Sequence, residues 1–261
     1  MGEGRALVTG AGKRLGRAMA LSLARRGLDV AIHYNGSAAA ARDVAAEIGA
    51  MGRKAAVLQA DLLDENACET LIDRSADALD GPLDVLVNNA SIFEYDTISS
   101  ATRESWDRHV GSNLRAPFVL TQTFAAQAPK AATDDSGELV ATSNVVNMID
   151  QRVLKLTPEF MTYTIAKMGL WAFTRTAAQA LAPHIRVNAI GPGPTLRAER
   201  QSEAHFRAQR AATTLKRGAN TGDVAATLDY LLSASSVTGQ LICVDGGQHL
   251  SWQTPDVFGP E

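Results

Sequence analysis

This sequence predicts a single doubly wound α/β domain, about seven parallel strands with helices on both faces, and three observations carry that expectation. Short apolar runs of strand length recur, segments with helical spacing lie between them, and no Pro/Ser-rich linker or charge block divides the 261 residues. The runs are Ala6–Val8, Val30–Tyr34, Ala55–Gln59, Val85–Val87, Leu139–Ala141, Ile185–Ile190 and Leu241–Val244. They are apolar throughout rather than alternating, as strands must be when helices cover both faces of a parallel sheet. Between them, Leu15, Met19 and Leu23, then Val44, Ile48 and Met51, then Ala67, Leu71 and Ile72 repeat with the period of a helix face. Gly27 and Gly52 fall where the first two helices must stop. Pro194–Gly218 carries Arg197, Arg200, Arg207 and Arg210 with few apolar anchors, and two readings stay open: a solvated helix, or a mobile segment over a site.

Composition excludes several classes. Hydrophobic residues at 46% and charged residues at 20% are globular values and leave little room for long disordered tracts. Aromatics at 5% favour closely packed helices and strands over an aromatic-rich sandwich. A formal charge of −3 gives no overall basic field for nucleic acid. Cys68 and Cys243 cannot build a disulfide framework and suit a reducing compartment. The first residues run almost directly into a strand, without an apolar signal-peptide core, and Ala6 stands where a myristoylation motif needs Ser or Thr. No stretch approaches the roughly 18 apolar residues of a membrane span. A cytoplasmic protein with no membrane or nucleic-acid partner and no metal site is expected.

The first run leads into Thr9-Gly10-Ala11-Gly12-Lys13-Arg14-Leu15-Gly16 and then a helix. Glycines at such a junction turn the backbone tightly and bring a pyrophosphate to the positive helix N-terminus. The spacing departs from the usual dinucleotide fingerprint, and a plain Gly-rich turn is the competing reading. Its place after the first strand of a Rossmann-type pattern favours the nucleotide. The second run ends at His33-Tyr34-Asn35, where an NAD site usually has an acid for the ribose hydroxyls. No acid is there. Arg14 projects from the turn toward the same region and can pair with a 2′-phosphate, which favours NADPH; a merely solvated Arg14 is the alternative. Asp61, followed by Leu62, is placed to accept from an adenine amino group or to cap the next helix.

Tyr163 and Lys167 fall four residues apart, on one face of a helix. A fixed positive charge favours the phenolate and makes Tyr163 a better acid at neutral pH. A surface pair without a task is the competing reading.

Taken in order, Thr9-Gly10…Gly16, Asn88-Asn89-Ala90, Asn113, Tyr163-x-x-x-Lys167, Arg186-Val187-Asn188…Pro192-Gly193 and Asp245-Gly246-Gly247 resemble the motifs of short-chain dehydrogenases/reductases over essentially the whole chain. The resemblance implies Tyr163 as proton donor, Lys167 orienting the nicotinamide ribose, Asn113 supporting a water relay, and Pro192-Gly193 lining the nicotinamide. It also implies an NADPH site built from Gly10, Arg14, Leu15, Gly16, His33, Tyr34, Asn35, Ser37, Asp61, Leu62, Asn89, Ala90, Tyr163, Lys167, Pro192, Gly193 and Thr195. Such reductases are usually homotetramers. The face of Leu170, Phe173 and Ala177 is then either a helix-pairing surface or the side that packs on the sheet.

Two departures are informative. Arg14 replaces the middle glycine of the family's turn, and Asp150 stands thirteen residues before Tyr163, where most members carry serine. With Lys13-Arg14-Leu15-Gly16, His33-Tyr34 and Asn147-Met148-Ile149-Asp150, the chain resembles pteridine reductases and dihydromonapterin reductases. Phe93 then sits where that subgroup stacks the pterin ring, with Ser91 beside it, while Gly36 replaces a further basic residue near the 2′-phosphate. A carbonyl reductase needs a neutral donor aimed at the developing alkoxide, whereas an ionised Asp only accepts and repels that charge. Reduction of a pterin C=N gives nitrogen a proton, and the heterocycle offers amino donors that Asp150 can bind. The alternative is that Asp150 points away and Asn144 or Ser143 replaces the missing serine. The sequence thus predicts an NADPH-dependent reductase of a pterin or dihydropterin. A reductase of simple carbonyls or 3-oxoacyl thioesters, and a non-catalytic NADP(H)-binding sensor or scaffold, are the alternatives.

Overall fold

In the computed structural model, residues 4–198 and 201–252 are described. β1 (Arg5–Val8), β2 (Asp29–Tyr34), β3 (Ala55–Gln59) and β4 (Val85–Asn88) alternate with α1 (Arg14–Arg25), α2 (Ala38–Ala50) and α3 (Glu65–Ala78). Then come α4 (Arg103–Val110), a π-helical turn at Gly111–Arg115, α5 (Ala116–Gln127), and the short strands β5 (Ala132–Thr133) and β6 (Leu139–Val140). The rest comprises β7 (Ser143–Met148), a 3-10 turn at Gln151–Leu154, α6 (Met161–Leu181), β8 (Ile185–Pro192), α7 (Glu203–Ala211), α8 (Thr221–Ser233) and β9 (Leu241–Val244). A seven-stranded sheet runs in the order β3-β2-β1-β4-β7-β8-β9, and every neighbouring pair is parallel.

Alternation along the strands divides the core in two. Ala6 and Val8 of β1 face one apolar layer with Met19, Leu23, Val44, Ile48 and Leu228 from α1, α2 and α8. Leu7 faces the other, with Leu71, Ile72, Leu120, Phe124 and Ala177 from α3, α5 and α6. Both faces of a strand are therefore buried, which is why its sequence shows no polar alternation. Each fully buried Leu or Ile contributes roughly 1.5–3 kcal/mol by leaving water. The face of Leu170 and Ala177 is buried inside the chain, so it packs on the sheet and is not a surface for pairing copies.

One strand is displaced from its expected place. The apolar-run criterion puts the fifth strand at Leu139–Ala141, but Leu139–Val140 pairs antiparallel with Ala132–Thr133 outside the main sheet. The fifth strand of the main sheet is Ser143–Met148, between β4 and β8. Its Asn147 looks wrong for a core, yet it accepts from Asn88 Nδ2 at 2.9 Å and donates from Nδ2 to Thr174 Oγ1 at 2.9 Å. A satisfied polar side chain is admitted to the interior where an unsatisfied one is not.

Between β8 and β9, α7 buries no residue, as a solvated helix should. Arg210 ties the ends of that segment together, donating to Pro194 O at 2.7 Å, Ala219 O at 2.6 Å and Gly218 O at 2.9 Å. Arg200 lies outside the described residues. Among the described residues, no helix is long and apolar enough to cross a membrane.

The chain leaves β1 toward β2 and β3 on one side and returns to β4 on the other. The connections after β1 and β4 therefore diverge, opening a crevice at the carboxyl ends of the strands.

Candidate active site

The crevice is held open by stapled turns. Thr9 Oγ1 accepts from Asn89 N at 2.8 Å and Ala90 N at 2.9 Å, while Asn89 Nδ2 donates to Thr9 O at 2.8 Å. Gly10 is left-handed (φ 63°), and a Cβ at Gly16 would lie 2.2 Å from Gly10 O. Only glycine lets the turn close this tightly on the start of α1. The resulting cleft has a volume of about 530 Å³. Of the residues expected there, Gly10, Arg14, Leu15, Gly16, His33, Asn35, Asp61, Leu62, Asn89, Ala90 and Ser91 line it. Tyr34 packs on the core instead, and Ser37 precedes α2, with its hydroxyl 3.3 Å from where a Gly12 Cβ would be. Pro192 ends β8; Gly193 follows against Asp245, and Thr195 Oγ1 donates to Gly193 O at 3.1 Å.

His33 and Arg14 have other tasks than the sequence suggests. Gly10 N–H donates to His33 Nδ1 at 3.0 Å, and Nε2 meets Ala60 O at 3.1 Å, which makes it the protonated nitrogen. Burial lowers this imidazole to about 4, so His33 braces the turn as a neutral ring and offers no cation. Arg14 keeps the left-handed conformation of the glycine it replaces (φ 55°). Its guanidinium reaches the β8 side of the crevice, donating to Arg197 O at 2.9 Å and Leu196 O at 3.0 Å. It is therefore not aimed at the end of β2. The exposed Lys13, which the sequence reading passed over, shares the cleft wall with Asn35. Arg108 and Ser112, also missed, line the cleft from the α4 side. Lys13 was legible beside Arg14, whereas nothing local marks the other two.

Across the crevice, α6 presents Tyr163 and Lys167 one turn apart. The Tyr163 hydroxyl donates to Asp150 Oδ2 at 3.1 Å, and Asp150 Oδ1 accepts from Arg152 N at 2.8 Å. Asp150 thus points into the site. Ser143 and Asn144 cannot replace it, because they begin β7, at the opposite end of the sheet, where Asn144 is level with Val85. Lys167 Nζ donates to Met148 O at 2.8 Å and lies 5.7 Å from the Tyr163 ring centroid. Asn113 sits in the π-helical turn and clasps Ile92 twice, accepting from its N–H at 2.9 Å and donating to its carbonyl at 2.8 Å. Phe93 stacks on Phe160 with centroids 4.4 Å apart and lies 4.6 Å from the Tyr163 ring. Phe93 and Asp150 meet Tyr163 at one end of the crevice, while Ser91 lines the cleft and donates from Oγ to Ile92 O at 3.3 Å.

Burial dominates the electrostatics. It raises Tyr163 well above the usual phenol range, and the adjacent Asp150 charge raises it further. Desolvation also raises Asp150, against the pull of Arg152, and lowers Lys167 to about 8, against that of Asp150. The expectation that Lys167 makes Tyr163 a stronger acid is therefore not met. The carboxylate stands closer to the phenol than the ammonium does. Tyr163 is a neutral donor over the whole ordinary pH range.

A Rossmann-type sheet with a glycine-built crevice at its switch point, and a buried Tyr–Lys pair facing that crevice, defines an oxidoreductase architecture. Residues 10–249 match the family model described as enoyl-(acyl carrier protein) reductase. The chain is 32% identical over 250 residues to 3-oxoacyl-[acyl-carrier-protein] reductase of Staphylococcus aureus, covering 94% of this chain and 98% of that protein. It belongs to the short-chain dehydrogenase/reductase family. Among solved structures, FolM alternative dihydrofolate reductase 1 from Brucella suis, in complex with NADP, is 42% identical with a TM-score of 0.89, covering 97% of this chain and 98% of that one. A short-chain dehydrogenase from Burkholderia cenocepacia, also with NADP, is 32% identical with a TM-score of 0.85, covering 94% and 97%.

Proposed function

We propose that this NADP-dependent oxidoreductase reduces a pterin or dihydropterin, delivering hydride to a ring carbon while nitrogen gains a proton. The observation that carries this reading is the 3.1 Å contact between the Tyr163 hydroxyl and the Asp150 carboxylate. An acceptor beside the proton donor repels a nascent alkoxide but binds the amino and ring N–H groups of a pterin. The Brucella structure described as a dihydrofolate reductase supports the same substrate class.

NADPH fits the cleft on three counts. Gly10 and Gly16 leave the backbone bare where a pyrophosphate approaches, no acid stands at His33-Tyr34-Asn35 to repel a 2′-phosphate, and Lys13 supplies a cation beside Asn35. When bound, the nicotinamide supplies the hydride. Asp61 and Leu62 would hold the adenine end, and Pro192, Gly193 and Lys167 the nicotinamide end. Tyr163 gives its proton to the substrate nitrogen, and Lys167 stabilises the phenolate left behind. Asp150 orients the Tyr163 hydroxyl before the substrate arrives and accepts from its amino group afterwards. Asn113 fixes the Ile92 backbone and with it the Ser91–Phe93 wall.

Lys13 rather than Arg14 should discriminate between cofactors. A charge-assisted contact is worth about 1.5–3 kcal/mol, so Lys13→Ala should weaken NADPH binding about 10- to 150-fold and leave NADH nearly unchanged. Arg14→Ala should weaken both cofactors alike, because it loosens the turn from Leu196 and Arg197. Titration of both cofactors by fluorescence checks this, and an NADPH-selective loss in Arg14→Ala would return the 2′-phosphate to Arg14.

The Staphylococcus relative favours a second reading, reduction of 3-oxoacyl thioesters. NADPH oxidation measured side by side with biopterin, monapterin, dihydrofolate and a β-ketoester separates the two readings. Turnover confined to the ketoester would overturn the pterin assignment. We also propose a homotetramer, paired through the outward side of α5 and α6, where Phe118, Ile165 and Met168 remain exposed.

A further inference from the structure

Two of the buried ionisable side chains that the roles above leave unused come together beside the site. Asp96 and His109 are 2% and 0% exposed, and they meet on Thr162, the residue before Tyr163. Asp96 Oδ2 accepts from the Thr162 hydroxyl and from Ser105 Oγ at 3.2 Å, while Oδ1 accepts from Thr162 N at 3.2 Å. With its own proton spent on Asp96, Thr162 Oγ1 can only accept from His109 Nδ1, 2.6 Å away. The ring proton is therefore on Nδ1. Nε2 is left with its lone pair, and there it accepts from Glu94 N at 3.1 Å. Hydrogen-bond accounting fixes one direction for the whole chain: Glu94 N–H to His109, His109 to Thr162, Thr162 to Asp96. Desolvation lowers the imidazole's proton affinity, in keeping with a neutral ring.

This chain joins the two halves of the substrate wall. The segment from Ile92 to Asp96 carries Phe93, and the start of α6 carries Tyr163. Asp96 O also accepts from the backbone N of Phe160, whose ring stacks on Phe93, at 2.8 Å. The His109 ring meets Tyr163 edge-on with centroids 6.0 Å apart. The Glu94 N–H that His109 accepts belongs to the residue after Phe93, so this bond sets the backbone position from which the Phe93 ring projects.

We propose that Asp96, His109 and Thr162 are positioning residues that hold the Phe93 ring at a fixed gap from the Tyr163 hydroxyl, so that the pocket selects a planar heterocycle. This rests on the pterin reading above, and the test separates the two. Thr162→Val keeps the shape of the side chain but removes both the donor to Asp96 and the acceptor for His109, whereas Thr162→Ser keeps them. In steady-state kinetics with NADPH and 7,8-dihydrobiopterin, Thr162→Val should raise KM at least tenfold, with NADPH affinity unchanged and Thr162→Ser within threefold of wild type. In a Phe93→Ala background, the KM effect of Thr162→Val should shrink below twofold, because the ring it positions is gone. If Thr162→Val does not fold, His109→Gln serves, since its amide can accept from Glu94 and donate to Thr162; it should stay within threefold of wild type, while His109→Leu should reproduce the KM defect. Wild-type KM in Thr162→Val or His109→Leu, or an equal loss with and without Phe93, overturns the positioning role. Wild-type enzyme inactive on dihydrobiopterin and on the biopterin, monapterin and dihydrofolate of the panel above overturns the pterin reading and the inference with it.

Discussion

Tyr163→Phe should lower kcat by about 10²- to 10⁴-fold, the usual worth of a positioned general acid, while leaving NADPH affinity within threefold. The phenol is the neutral donor of the site, and burial with the Asp150 charge keeps it protonated far into alkali. What titrates nearby is Lys167, lowered to about 8 by burial. Its positive charge is needed once Tyr163 has given up its proton, so kcat/KM should fall as pH rises through about 8. Stability should move the other way. Between about 8 and 9 the unfolded chain binds the proton that folded Lys167 has lost, so folding becomes more favourable as pH rises across that window; above about 9 the buried Cys68 and Cys243 thiols, raised to about 11 and about 12, oppose it. Lys167→Met should remove the alkaline fall in activity along with most of the rate. A pH profile of kcat/KM, paired with denaturation midpoints at pH 8 and pH 9, checks both directions. Activity and stability falling together between pH 8 and pH 9 would mean that another group governs them.

Apolar runs located six of the seven main strands, because burial on both faces writes itself directly into residue type. β7 escaped that signal: Ser143, Asn144 and Asn147 occupy its interior positions, and only the fold shows Asn147 satisfied by Asn88 and Thr174. The turn at Gly10 and the Tyr163–Lys167 pair were legible because local spacing carries them. The aim of a long side chain is not local. Arg14 turns to carbonyls that follow β8, 182 and 183 residues away, and no pattern near position 14 encodes that. His33 was legible as a residue at a strand end, but its role as a neutral brace depends on Gly10 and Ala60 converging on its two nitrogens. The proton affinity of Tyr163 is not legible for a related reason. Spacing reveals the nearby ammonium and is silent on desolvation, which proved larger. The Asp96–Thr162–His109 chain joins three segments and has no sequence signature.

Asp150→Ser should exchange one substrate class for the other. The change removes an acceptor for pterin N–H groups and a negative charge next to the reacting nitrogen, and it adds a neutral donor for a carbonyl oxygen. Losing a charged hydrogen bond in the transition state costs about 2–4 kcal/mol, or roughly 30- to 1,000-fold in kcat/KM for a dihydropterin. The Tyr163–Lys167 machinery remains, so a β-ketoester should react as well as before or better. The effect comes from charge, because the Tyr163 hydroxyl that now donates to Asp150 at 3.1 Å can find a partner in serine as well. Phe93→Ala should also slow the dihydropterin, through lost stacking, and leave the ketoester nearly untouched. The most direct measurement is kcat/KM for one dihydropterin and one β-ketoester with wild type and Asp150→Ser. A fall of at least 30-fold confined to the dihydropterin is expected, whereas an equal loss for both substrates would contradict the assignment of Asp150 to substrate choice.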